Sequence, residues 1–77
     1  MKKIIQARIY KGEKQYVGEC LDLPVVTQGI TLDEVTENLK EAIALYLDGE
    51  DPGEWDFVAE PSVLASIELE PLVHVKT

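Results

Sequence analysis

The chain has 77 residues, a formal net charge of −8, one cysteine and one histidine, which exclude an intrachain disulfide and a zinc site of Cys and His within one copy. Its length predicts a single domain with a thin core, because so short a chain buries only about 60% of its unfolded surface, and we therefore expect a homodimer or larger assembly. No apolar run approaches the roughly 20 residues that cross a bilayer, which argues against a spanning helix and favours a cytoplasmic protein.

Alternating apolar and polar residues predict a hairpin at the amino-terminal end. The first strand, over 2–10, carries Ile5, Ala7 and Ile9 on one face. A short polar connection that contains glycine leads into a second strand over 15–21. These two strands should therefore pair in the antiparallel sense.

A proline-containing turn ends the second strand. Asp22, Leu23 and Pro24 should shape this turn, because proline has no amide donor and aspartate accepts backbone amides locally. A third strand over 25–28 follows and ends at Gly29. The first three strands are thus predicted to form an antiparallel meander.

An amphipathic helix with both end signals comes next. Thr31 and Glu34 have the spacing of a capping box, in which the hydroxyl accepts the Glu34 amide and the glutamate reaches back. Gly49 is the expected end, in left-handed geometry. The predicted apolar face consists of Leu32, Val35, Leu39, Ala42, Ile43, Tyr46 and Leu47.

Residues 50–61 predict an acidic linker, interrupted by Trp55 and Phe57. Alternation returns over 62–70 and predicts a last strand, which Pro71 ends. Its inward residues should be Val63, Ala65, Ile67 and Leu69.

The order of these elements predicts an α+β fold over residues 1–77. The sequence β-β-β-α-β favours a three-stranded antiparallel meander with a fourth strand in parallel. A helix between the third and fourth strands carries the chain over one face of the sheet. One helix can cover only one face, which leaves the other face open.

Three runs of this sequence, in this order, carry a resemblance to a known family. They are residues 16–24 (YVGECLDLP), 27–34 (TQGITLDE) and 38–43 (NLKEAI). Together they resemble the amino-terminal domain of the HicB antitoxin family, which has a partial ribonuclease H-like fold. Val25 and Val26 depart from the glycine and cysteine that the family commonly has after its Asp-Leu-Pro.

The resemblance implies a protein partner and no cofactor. Members of the family bind and inhibit HicA, a small basic ribonuclease toxin with a double-stranded-RNA-binding-like fold. Full-length members often continue into a DNA-binding domain, and no such helix pair follows in this sequence. The resemblance therefore implies a non-catalytic antitoxin without direct nucleic-acid binding of its own.

The charge distribution agrees with a basic protein partner. Residues 1–14 carry a balance of +4 and residues 15–77 a balance of −12, a surface that repels phosphate backbones. Acidity that serves only solubility explains the composition equally well. Trp55 can anchor an interface or close the core. The candidate partner contacts are Asp33, Glu34, Glu37, Glu41, Glu54, Trp55, Asp56 and Phe57.

Two other function classes remain as alternatives. A metal-dependent nuclease would use carboxylates on neighbouring strands, and the available groups are Glu19, Asp22, Glu68 and Glu70. The first strand offers Gln6 and Arg8 instead of an acid, so we expect no enzymatic activity and no metal site. An orphan oligomeric scaffold or small-ligand-binding protein of the same fold stays open.

Overall fold

A computed structural model describes residues 2–49, 57–69 and 71–72. It confirms a small α+β domain with one mixed sheet and one helix. The elements are β1 (Lys2–Lys11), β2 (Tyr16–Cys20), β3 (Val26–Gly29), α1 (Leu32–Asp48) and β4 (Phe57–Ile67). In this part of the chain no helix is both long and apolar enough to cross a membrane.

The four strands form one sheet in the order β3-β2-β1-β4. β1 and β2 pair antiparallel, with Arg8 opposite Glu19, and β2 and β3 continue the meander in the same sense. β4 pairs in parallel with β1, on the other side. This parallel pairing needs a crossover, which α1 supplies.

The core lies between α1 and one face of the sheet. Val35, Leu39 and Ile43 of the helix are buried against the inward residues of β1, which are the three that alternation predicted. Leu23, Val25 and Phe57 complete this cluster from the β2–β3 turn and from β4. The cluster is apolar throughout and contains no buried polar side chain among the described residues.

Two glycines set how closely the helix approaches the sheet. A Cβ on Gly18 would lie 3.3 Å from Cγ2 of Val35, and a Cβ on Gly29 would lie 2.5 Å from the Val35 backbone nitrogen. Nδ2 of Asn38 also donates to the carbonyl of Gln28 at 2.8 Å. The helix therefore lies over β2 and β3, nearer to them than an ordinary strand residue would allow.

Both helix ends carry the predicted residues, with different details. Oγ1 of Thr31 accepts the Glu34 amide at 3.0 Å, while Oε1 of Glu34 accepts the Ile30 amide at 3.3 Å, one residue further back than we expected. Gly49 has a φ of −92°, so the prediction of left-handed backbone geometry at this residue was wrong. Its N–H donates to the Leu47 carbonyl, a closure that requires no positive φ.

Asp22 makes a long-range contact in place of the predicted local one. Its Oδ2 accepts the backbone N–H of Gln6 at 2.7 Å, while the Leu21 N–H donates to the Gln6 carbonyl at 2.8 Å. The Asp22 side chain thus extends the β1–β2 ladder beyond the end of β2. Leu23 is buried and Pro24 is exposed, so the turn also adds a residue to the core.

Removal of the Asp22 carboxylate should destabilise the fold moderately. We expect Asp22→Ala to lower the free energy of unfolding by about 1–2 kcal/mol, because a charge-assisted hydrogen bond is lost from a half-buried site. Asp22→Asn keeps an acceptor and should recover more than half of the loss. Urea denaturation followed by circular dichroism measures both variants. Equal stability of Asp22→Ala and the wild type would show that the Asp22–Gln6 hydrogen bond does not stabilise the fold.

The last strand differs most from its prediction. β4 starts at Phe57, five residues before the predicted start, and ends at Ile67, before Leu69, which is 79% exposed. The pairing with β1 shifts by three residues between Lys2 and Ile4, so β4 holds an irregular segment that includes Pro61. β4 is an edge strand, where a proline is tolerated, and Pro61 therefore does not end the strand.

Candidate partner-binding surface

The outward side of α1 carries a line of carboxylates. We define the acidic ridge as Asp33, Glu37, Glu41 and Asp48, which are all exposed and follow one side of the helix. Lys40 is the only base in α1, and its Nζ lies 3.1 Å from Oε1 of Glu37. The helix therefore presents a strongly negative surface that one lysine only partly neutralises.

Glu34 belongs to the start of the helix as well as to its acidic surface. Its side chain accepts the Ile30 amide, and its own amide donates to Thr31. With Asp33 it places negative charge at the first turn, where the helix dipole favours anions. A partner that used Glu34 would compete with the cap, so the other helix acids are better contact residues.

The predicted contacts in the acidic linker divide into two groups. Glu54, Trp55 and Asp56 lie outside the described residues. Phe57 is 1% exposed and is among the largest fully buried side chains, so its ring packs in the core and is not on the surface where we expected a partner contact. The physical reason is its position, since it opens β4 opposite Lys2 and its ring fills the core.

A groove with a volume of about 590 Å³ runs beside the acidic ridge. It exists because α1 lies over β2 and β3, which leaves Val63 and Ala65 of β4 only partly covered. We call it the α1–β4 groove. Its lining residues are Lys40, Ile43, Ala44, Leu47, Asp48, Glu60, Pro61 and Val63.

The α1–β4 groove combines apolar walls with an acidic rim. Asp48 stands on the helix side and Glu60 on the strand side, while Lys40 supplies one base. Such a groove suits an apolar side chain that basic residues flank on the partner.

Sequence reasoning missed the strand side of the α1–β4 groove, because it assigned Glu60 and Pro61 to a linker. Pro61 did not exclude a strand at this position, because an edge strand tolerates proline.

The opposite side of the sheet carries an ion pair at its centre. Nε of Arg8 lies 2.5 Å from Oε1 of Glu19, and the guanidinium lies 4.7 Å from the ring centroid of Tyr10. The hydrogen bond and the charge of Glu19 raise the pKa of Arg8 above its ordinary value. Arg8 is therefore positively charged at any physiological pH.

The carboxylates considered for catalysis are engaged or dispersed. Glu19 is paired with Arg8, and Asp22 accepts the backbone N–H of Gln6. Glu68 is exposed just after β4, and Glu70 lies outside the described residues. Over residues 2–49, 57–69 and 71–72, no three of the His, Cys, Asp and Glu side chains come together as a group that could hold a metal ion.

A scan of family models and searches of curated proteins and of solved structures found no match to this chain.

Proposed function

We propose that this protein is a HicB-like antitoxin, which binds a small basic HicA-type ribonuclease and inhibits it by covering its RNA-binding face. The observation that carries the proposal is the acidic ridge of α1 lying directly beside the α1–β4 groove. A negative strip next to an apolar groove suits a partner whose binding surface is cationic and carries an apolar anchor. The sequence resemblance supports the same conclusion independently.

The fold is compatible with this proposal. A three-stranded antiparallel meander, a helical crossover and a fourth strand parallel to the first is the arrangement expected for a partial ribonuclease H-like domain. We therefore assign the domain to that fold type as part of the proposal. The protein would act without catalysis and without a cofactor.

The proposed mechanism is electrostatic and steric. A ribonuclease needs a positive surface to hold the RNA backbone, and the acidic ridge offers the same bases a competing set of carboxylates. The long-range attraction speeds encounter, and it weakens as salt rises. The α1–β4 groove then holds the complex in place, because burial of an anchor side chain slows dissociation.

Reversal of two ridge charges should weaken partner binding. We expect Glu37→Lys together with Glu41→Lys to raise the dissociation constant at least about tenfold at moderate salt, since attraction becomes repulsion on the solvent side of α1. The partner is obtained by pull-down from the native host and identified by mass spectrometry. Calorimetry and an RNA-cleavage assay then measure binding and inhibition with the purified pair.

A matched control separates local charge from net charge. Glu41→Lys and Glu13→Lys each raise the net charge by two, and Glu13 lies in the β1–β2 turn rather than on α1. We expect only Glu41→Lys to weaken binding several-fold. Equal effects of the two variants, or a pull-down that retains no basic RNA-binding protein, would contradict the proposal.

A second candidate is an orphan protein that binds a small ligand. The α1–β4 groove favours it to a degree, because its volume of about 590 Å³ falls within the range of small-molecule sites. An adjacent reading frame that encodes a small basic protein would favour the antitoxin. A native ligand that co-purifies with the chain and is lost in Ala44→Trp, which fills the groove, would favour the orphan.

A further inference from the structure

The face of the sheet that points away from α1 differs in charge from the rest of the protein. We call it the open face. Arg8 and Glu19 are the charged ones among the described side chains of the paired strand residues on this face, and they form an ion pair. Glu68 directly follows β4, and its charge also acts on Arg8, so one further carboxylate lies at the edge of this face. Its uncharged members are Ile4, Gln6, Tyr10, Val17, Val26, Gln28, Ser62, Leu64 and Ser66.

The open face also leaves apolar side chains in contact with solvent. Ile4 is 47% exposed, Leu64 is 56% exposed and Val26 is 67% exposed. Tyr10 and Val17 face each other across β1 and β2 and are only partly covered. Apolar groups around a central ion pair are typical of a protein interface rather than of a solvated sheet.

The arrangement is self-complementary under a twofold axis. Consider two copies whose open faces are stacked, with a twofold axis that runs parallel to the strands, midway between the two sheets and centred between β1 and β2. This axis places β1 of one copy over β2 of the other. Because Arg8 is opposite Glu19 and Tyr10 is opposite Val17, Arg8 then lies over Glu19 of the second copy and Tyr10 over its Val17. An isologous interface requires this kind of reciprocity.

We propose that a second copy of this chain docks on the open face, sheet against sheet, with reciprocal Arg8–Glu19 pairs at the centre. The two layers pack about 10 Å apart, as in a β-sandwich. The strands are about 4.8 Å apart, and β2 and β3 are only five and four residues long, so the patch measures roughly 15–20 Å on each side. This area is at the low end for specific interfaces, so the dimer dissociates in the micromolar range.

Charge favours a second copy over a basic partner at this face. Two chains of net charge −8 repel each other wherever their acidic surfaces meet, above all along the acidic ridge. In the described part of the chain the open face has few charged groups, namely the Arg8–Glu19 pair and Glu68 after β4, so an acidic chain can approach its own copy there with less repulsion. This inference does not rest on the proposed toxin binding, which would use the helix side and leave the open face available.

Charge reversal with rescue tests the proposal. Sedimentation velocity from 1 to 300 µM should show a monomer–dimer equilibrium for the wild type. Arg8→Glu or Glu19→Arg alone should raise the dimer dissociation constant at least tenfold, because like charges then face each other across the axis. The double variant Arg8→Glu/Glu19→Arg should restore the wild-type value. An equimolar mixture of the two single variants should form a heterodimer.

The mixture distinguishes the contact between two copies from the Arg8–Glu19 ion pair within one chain. Each single variant loses its own ion pair, so opposite charges can face each other only between the two different variants. Thermal unfolding by circular dichroism confirms that each variant is folded. Leu64→Lys on the open face should also weaken the dimer, whereas Leu45→Lys on the exposed side of α1 should not. A wild type that stays monomeric at 300 µM, or a mixture that forms no heterodimer, would overturn the proposal.

Discussion

Phe57→Ala is expected to leave the domain close to unfolding at 37 °C. Truncation of a fully buried aromatic side chain costs about 3–5 kcal/mol, from lost burial and from the cavity that remains. A domain of 77 residues has a total stability of about 4–12 kcal/mol, so one substitution removes a large share of it. The thin core, with one helix against one sheet face, has no second layer to compensate.

Urea denaturation followed by circular dichroism measures this effect, and Leu69→Ala is the matched control. The alternation of 62–70 predicted that Leu69 faces the core, whereas it is 79% exposed and lies beyond β4. Leu69→Ala should therefore change stability by less than about 0.5 kcal/mol. If it cost more than Phe57→Ala, the observed extent of β4 would be wrong. Phe57→Leu, which keeps most of the apolar volume, should cost about 1.5 kcal/mol or less.

Local chemistry explains why the first half of the fold could be predicted from the sequence. The inward residues of β1, the hairpin and the Thr31 cap each depend on neighbours within a few positions, so periodicity and capping rules identify them. Helical spacing likewise places Glu37 and Glu41 on the solvent side of α1. These parts need no knowledge of the tertiary structure.

Contacts between distant segments explain what the sequence could not predict. Phe57 follows a run of acids and reads as linker, but it enters the core because β4 pairs with β1 from Lys2 onward. The sequence around Asp22 indicates a local turn residue, but its carboxylate accepts a hydrogen bond from the backbone N–H of Gln6, 16 positions away. The α1–β4 groove depends on where the helix crosses the sheet, a quantity that no local pattern records.

Gly29→Ala tests what fixes that crossing. A Cβ on Gly29 would lie 2.5 Å from the backbone nitrogen of Val35 and 2.8 Å from its Cα, so the start of α1 must move away from β3. We expect a loss of about 3 kcal/mol in the free energy of unfolding, at the upper end for overpacking, because backbone atoms cannot rotate aside. Gly49→Ala is the control, since a Cβ there meets nothing within 4 Å and its φ of −92° suits alanine. It should change stability by less than about 1 kcal/mol in the same urea titration, and equal losses for the two variants would show that the Gly29 contact does not position the helix.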